Sequence, residues 1–260
     1  MMESRPFVLS GGGTRGFAHL GVVKALQEHG ISPSAISGTS SGAMAGAFLA
    51  CGYTPDEIRE MFVGKIRLSM LSYHTGRMGL ASMNKMREFL KKNLRAETFG
   101  ELKLPLYITA TDFTTGKQKI FTEGNLLDAV IASCSIPALF PPLFIDDVPY
   151  VDGAIYNNLP VEPFCHCKCD TVCVYVNPTP EFTDHSNVLA VIDRAWHLLF
   201  REMVDRSAEG CHLFIEPPDL QKYGLFDVNK LPEIFETGYL FAREIMQGKT
   251  KDERRLPAGR

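Results

Sequence analysis

Two strand-turn-helix patterns stand back to back near the start of the chain, and they leave few folds open. Pro6 to Ser10 is an apolar run ending in three glycines, Gly11 to Gly13. From Phe17 to His29 apolar residues return at helical spacing (Phe17, Leu20, Val23) until Gly30 stops them. The second unit follows at once: Ala35 to Ser37 closes a strand, Gly38 to Gly42 is a sharp turn, and Ala43 to Cys51 is a small-residue helix ended by Gly52. Tandem units of this kind put parallel strands side by side, because each helix carries the chain back to the same edge. The expectation is an α/β fold: a three-layer α/β/α sandwich around a central, mostly parallel sheet.

The rest of the chain continues the alternation. Thr54, Pro55 and Glu57 form a helix start with a capping box, and another helix is expected over Asn84 to Leu94. Leu104 to Thr122 reads as two strands joined through Thr115-Gly116, and Asn125 to Ser133 as a helix broken by the prolines of "IPALFPPLFIDD". After "VPYVDGA" come a helix, a strand at Val172 to Val176, a long helix from about Val188 to Arg206 around Trp196, a strand at Leu213 to Glu216 and a last helix from about Pro232 to Gln247. No Gly, Ser or Pro-rich linker divides these. A catalytic domain over 5–210 is therefore expected, with the strand and helix of 211–260 packing on it and a disordered tail at the end.

With 260 residues, 45% of them hydrophobic, the chain can bury one large core. A formal charge of -3 gives no basic field for nucleic acid. The start lacks the apolar stretch of a secretory signal, and no apolar run approaches the roughly 20 residues that span a bilayer. Seven cysteines, an odd number, do not form a disulfide framework. A soluble, cytoplasmic protein with reduced thiols is expected.

The glycine loop can be read two ways. Gly11-x-Gly13-x-x-Gly16 between a strand and a helix fits a dinucleotide fingerprint. That site also needs an acidic residue near the end of the second strand, and none occurs from Gly30 to Thr54. What stands there is Gly38-Thr39-Ser40-Ser41-Gly42, the G-x-S-x-G pattern of a nucleophile elbow, whose small residues let a strained turn expose the serine. Parallel neighbours end on the same edge of a sheet, so the bare amides of Gly11, Gly12 and Gly13, with Gly16 and Ser41 beside them, become donors for the oxyanion formed when Ser40 attacks a carbonyl. A tight turn and a helix N-cap are the plainer readings of the same two pieces.

A serine needs a base. His166, His185, His197 and His212 each suit an ordinary role. Asp152 stands at a strand end and is followed by Gly153, where the backbone can turn and approach another loop, although a turn aspartate reads the same way.

"GGGTRG", "GTSSG" and "DGA" together, with "IASCSIPALFPP" ahead of the aspartate, resemble the patatin-like phospholipase family from about Phe7 to Asn158. The resemblance implies a serine acyl-ester hydrolase with a Ser40-Asp152 dyad in place of a triad, an oxyanion hole in the glycine loop, and Arg15 at that loop's basic position. It implies a lipid or other acyl-ester substrate, transient contact with a membrane surface, and no cofactor. A nucleotide-binding protein and a hydrolase with a Ser-His-Asp triad are the alternatives. Cys165, His166, Cys167, Cys169 and Cys173 hold both zinc ligand types, but C-x-C-x-C is not the spacing of a zinc site. "IPALFPPLFI" is equally a greasy rim for a lipid chain or buried packing.

Overall fold

The computed structural model of the chain describes residues 3–65, 72–73, 79–179, 198 and 200–249. The two tandem units form as expected. β1 (Glu3–Leu9) leads through a 3-10 turn (Gly13–Phe17) into α1 (Ala18–Glu28), and β2 (Ile31–Thr39) leads directly into α2 (Ser41–Ala50). Then come α3 (Pro55–Phe62), a short pair β3 (Ser72–Tyr73) and β4 (Ala81–Ser82), α4 (Asn84–Asn93), β5 (Leu106–Asp112), β6 (Gln118–Phe121) and α5 (Leu126–Ser133). β7 (Leu143–Ile145), β8 (Val148–Asp152), β9 (Val172–Val174), the helix α6 seen over 200–208, β10 (Leu213–Ile215) and α7 (Leu231–Met246) complete the described fold.

The eight-stranded sheet runs in the order β10-β9-β1-β2-β5-β8-β7, with β6 also on β5. Its β10-β9-β1-β2-β5 stretch is parallel, while β6, β7 and β8 pair antiparallel. Alternation along the strands separates the two faces. Phe7 and Leu9 of β1, Val172 and Val174 of β9, and Leu213 and Ile215 of β10 enter a large core beneath α1, α2, α3, α5 and α7. Val8, Cys173 and Phe214 face the other way into a smaller core with Phe164, Val204 and Ala208. The α/β/α sandwich of the sequence reading is present, with unequal outer layers.

Two expectations are corrected. The segment after Asp152 forms a kinked 3-10 stretch (Glu162–Asp170), not an α-helix, because Phe164 and Cys167 leave helical dihedral angles. "PPLFIDDVPY" is more than a helix breaker: it is the β7-β8 hairpin, turned at Asp146 and Asp147 with φ of 49° and 62°. The helix expected from Val188 lies outside the described residues up to 197, as do Trp196 and the tail after Lys249.

One detail of register places the site. β2 ends with Thr39 opposite Thr109 of β5, and β8 ends with Asp152 opposite Ala110, the next residue along β5. Thr109 and Ala110 pair on their other edge with β6. β2 and β8 therefore lie end to end along one edge of β5, running toward each other, and their carboxyl ends meet. The C-terminal segment is built into the same body: β10 extends the sheet, and α7 crosses α1 so closely that a Cβ on Gly21 would lie 2.0 Å from the carbonyl oxygen of Phe235.

Candidate active site

Ser40 is the residue between β2 and α2, and its backbone is bent into a conformation L-residues avoid, with φ 53° and ψ -120°. Such a turn costs about 1–3 kcal/mol and holds only where the surroundings fix it. Here the Ser40 amide donates to Ser133 Oγ at 2.8 Å, and Ser133 Oγ donates in turn to the Thr109 carbonyl at 2.6 Å. Small residues let the turn close. A Cβ on Gly38 would sit 2.6 Å from the Gly42 carbonyl carbon, and one on Gly42 would sit 2.2 Å from the Leu9 carbonyl oxygen. Ser41 is the first residue of α2; its amide heads that helix and its buried hydroxyl has no hydrogen-bond partner among the described residues.

Asp152 reaches this turn from the opposite direction. Ser40 Oγ donates to Asp152 Oδ2 at 2.6 Å, and Asp152 Oδ1 accepts the Ala154 amide at 2.9 Å. The backbone of Asp152 is pinned as well, its amide on the Ser135 carbonyl and its carbonyl on Thr111 Oγ1. Gly153 is required by the abutting strands: a Cβ there would meet the Thr109 carbonyl oxygen at 2.2 Å. Burial raises the carboxyl pKa from the ordinary 3.8 to about 6, because removal from water disfavours the charged form more than the Ser40 and Ala154 hydrogen bonds favour it.

The glycine loop lies against the elbow, with the Cβ position of Gly11 only 3.2 Å from Ser40 Cβ. The three glycines are not equivalent. The Gly11 amide donates to Asn158 Oδ1 at 2.9 Å, while the Gly12 and Gly13 amides have no acceptor among the described residues. Gly13, at φ +57°, lines the cavity described below together with Gly16. Gly16 lets the loop touch α2, since a Cβ there would lie 2.2 Å from Ser41 Oγ. Arg15 is buried outside the cavity lining, its guanidinium donating to Asn177 Oδ1.

Beside Ser40 opens a cavity of about 160 Å³ with an almost wholly apolar wall. α1 and α2 contribute Leu20, Met44, Ala45 and Phe48; Met83, Met86 and Phe140 close another side. Leu225, Phe226, Val228 and Leu231 add a further wall, their segment held over the glycine loop by the Thr14 amide on the Leu225 carbonyl and by Thr14 Oγ1 on the Gly224 carbonyl. Among the described residues, no charged side chain lines the cavity. Ile136 and Phe140 of "IPALFPPLFI" line this cavity, whereas Phe144 is exposed.

The other sequence candidates stand apart. His166 is exposed and meets its neighbour Cys165, His212 stands just before β10, and neither lines the cavity; His185 and His197 lie outside the described residues. Cys165 and Cys169 are exposed while Cys173 is buried against Cys211, and among the described residues no three His, Cys, Asp or Glu side chains group as metal ligands would. Sequence reasoning missed Ser133, Asn158 and Asn177, which hold the backbone of the elbow and the loop. The paired asparagines of "YNNLP", so soon after the acid, were the available signal for one of them.

Comparisons with known proteins identify the family. The Patatin-like phospholipase family pattern matches residues 7–165. The lysophospholipase NTE1 of Kluyveromyces lactis is 27% identical over 92% of this chain, which spans 19% of that protein. An NTE family protein of Mycobacterium tuberculosis is 28% identical over 95% of the chain, which spans 47% of it. The crystal structure of VipD from Legionella pneumophila superposes with a TM-score of 0.64 at 14% identity, over 95% of this chain and 67% of that one, and shares its fold. Among the described residues no helix is long and apolar enough to cross a membrane. The chain belongs to the patatin-like phospholipase family, a family of hydrolases that act on ester bonds.

Proposed function

We propose that this chain hydrolyses lipid acyl esters, with Ser40 as nucleophile, Asp152 as its base, and the amides of Gly12, Gly13 and Ser41 as the donors that hold the oxyanion. The observation carrying this reading is the 2.6 Å hydrogen bond from Ser40 Oγ to Asp152 Oδ2 beside an apolar cavity. Oγ attacks the acyl carbonyl carbon, its proton passes to Asp152, and the carbonyl π pair moves onto oxygen. Collapse of that oxyanion expels the alcohol, which takes the proton back from Asp152. Water then repeats the sequence on the acyl-serine and releases the fatty acid. A carboxylate with a pKa of about 6 is a better base than one at 3.8, and the desolvation that raises it also strengthens the amide-oxyanion bonds.

A wall that is apolar over its described residues suits one acyl chain, with the polar part of the ester left outside. A lysophospholipid or another single-chain ester is the substrate class this favours. Phe226, exposed yet part of the lining, marks where a chain would leave a lipid surface and enter. In this reading the catalytic unit spans residues 5–210 and the segment 211–260 completes it, because Leu225, Phe226, Val228 and Leu231 line the cavity.

The test is hydrolysis of a p-nitrophenyl acyl ester by the wild type, Ser40→Ala, Asp152→Asn and His212→Ala. Loss in the first two variants with activity in the third supports the dyad. An active Asp152→Asn beside a dead histidine variant would restore the triad. Inertness of all four, with a thermal shift on adding NAD(P)H or ATP, would restore the nucleotide site.

A further inference from the structure

Both peptide groups that flank Gly11 are held by asparagine side chains from different elements. On one side the Gly11 amide donates to Asn158 Oδ1 at 2.9 Å; on the other, Asn177 Nδ2 donates to the Gly11 carbonyl at 2.6 Å. Asn177 follows β9 and is itself oriented, because Arg15 donates to its Oδ1 at 3.4 Å. An arginine only donates and a carbonyl only accepts, so this pair of bonds leaves the Asn177 amide one orientation. All three side chains are buried.

The Gly11 carbonyl and the Gly12 amide belong to one planar trans peptide and point in opposite directions. A donor that captures the carbonyl therefore fixes where the Gly12 N–H points. Asn177 lies outside the cavity lining, and the Gly12 amide is turned away from it with no acceptor among the described residues. Without Asn177, a glycine peptide is free to rotate and its N–H to leave the reacting oxygen. We propose that Asn177, seated by Arg15, is the positioning residue that aims the Gly12 amide at the oxyanion. Asn158 holds the other side of Gly11 and keeps that glycine's own amide out of the reaction. The inference rests on the proposed Ser40-Asp152 chemistry.

Asn177→Asp is the discriminating change. It keeps the size and the Arg15 contact but sets a carboxylate oxygen against the Gly11 carbonyl, so the peptide must turn. Asn177→Ser, which removes the Nδ2 donor without adding charge, is read in the same way should the first variant not fold. Removing an oxyanion donor costs about 10² to 10³ in kcat, so a kcat loss of about 100-fold with KM held within about threefold is expected.

The second readout is binding of an alkyl trifluoromethyl ketone. Ser40 Oγ adds to its carbonyl carbon, the proton passes to Asp152, and the carbonyl π pair becomes a held oxyanion. Its affinity should fall by the same factor as kcat/KM, while the corresponding methyl ketone, which forms no such adduct, binds the variants and wild type alike. A kcat near that of wild type, or equal losses for both ketones, would overturn the inference. Ser40→Ala run in parallel separates this from failure of the dyad: full activity there would overturn the underlying reading instead.

Discussion

Ser40 and Asp152, 112 residues apart in the chain, share a hydrogen bond of 2.6 Å because β2 and β8 end against consecutive residues of β5. The pair is thus a property of strand register. Neither side chain has to reach, and both backbones are pinned by hydrogen bonds to their surroundings. The chemistry proposed for them follows from that fixed meeting in a water-poor place.

Rate should follow the ionisation of Asp152. Burial lifts its pKa to about 6, and the base must be ionised to accept the Ser40 proton. The kcat/KM for an uncharged ester is expected to rise through pH 6 and level off above it. A profile flat from pH 5 to pH 8 would contradict this.

Stability should run the opposite way over the same range. The folded protein holds the Asp152 proton more tightly than the unfolded chain does, so this group stabilises the fold fully below pH 4. That contribution is lost as pH rises through 6. Two pKa units correspond to roughly 3 kcal/mol. Asp152→Asn is expected to lack this loss, so that its advantage over the wild type in urea denaturation grows from pH 4 to pH 7 while its activity is gone.

Elbow strain can be read by comparing two inactive variants. Ser40→Ala and Ser40→Gly both remove the bond to Asp152, but only glycine accepts φ 53° and ψ -120° without strain. Ser40→Gly should be the more stable of the two by about 1 kcal/mol in denaturant melts.

Chain-length selection should respond to Ala45, which lines the cavity from α2. Filling the space with Ala45→Phe is expected to raise KM for long-chain p-nitrophenyl esters by about tenfold or more while turnover of the acetate stays within about threefold. Equal effects on acetate and palmitate would remove the cavity from the substrate path.

The tandem units were legible because glycines at Gly11 to Gly13 and Gly38 to Gly42 punctuate apolar runs at clear periods. The capping box at Thr54 was equally plain, and Glu57 completes it. Ser40 and Asp152 could be named from motifs, but no local pattern shows that β8 runs antiparallel to β5 toward the end of β2. The β7-β8 hairpin escaped because Asp146-Asp147 replaces the usual glycine-bearing turn between prolines that read as a break. Asn177 was invisible for a related reason: its contact to Gly11 spans 166 residues and depends on β9 lying beside β1.

The central claim is that Ser40 is the activated nucleophile, and covalent labelling with a fluorophosphonate followed by peptide mass spectrometry tests it most directly. A single adduct on Ser40, absent in Ser40→Ala and much slowed in Asp152→Asn, is the expected result. No adduct on an active wild type, or one on another residue, would contradict it.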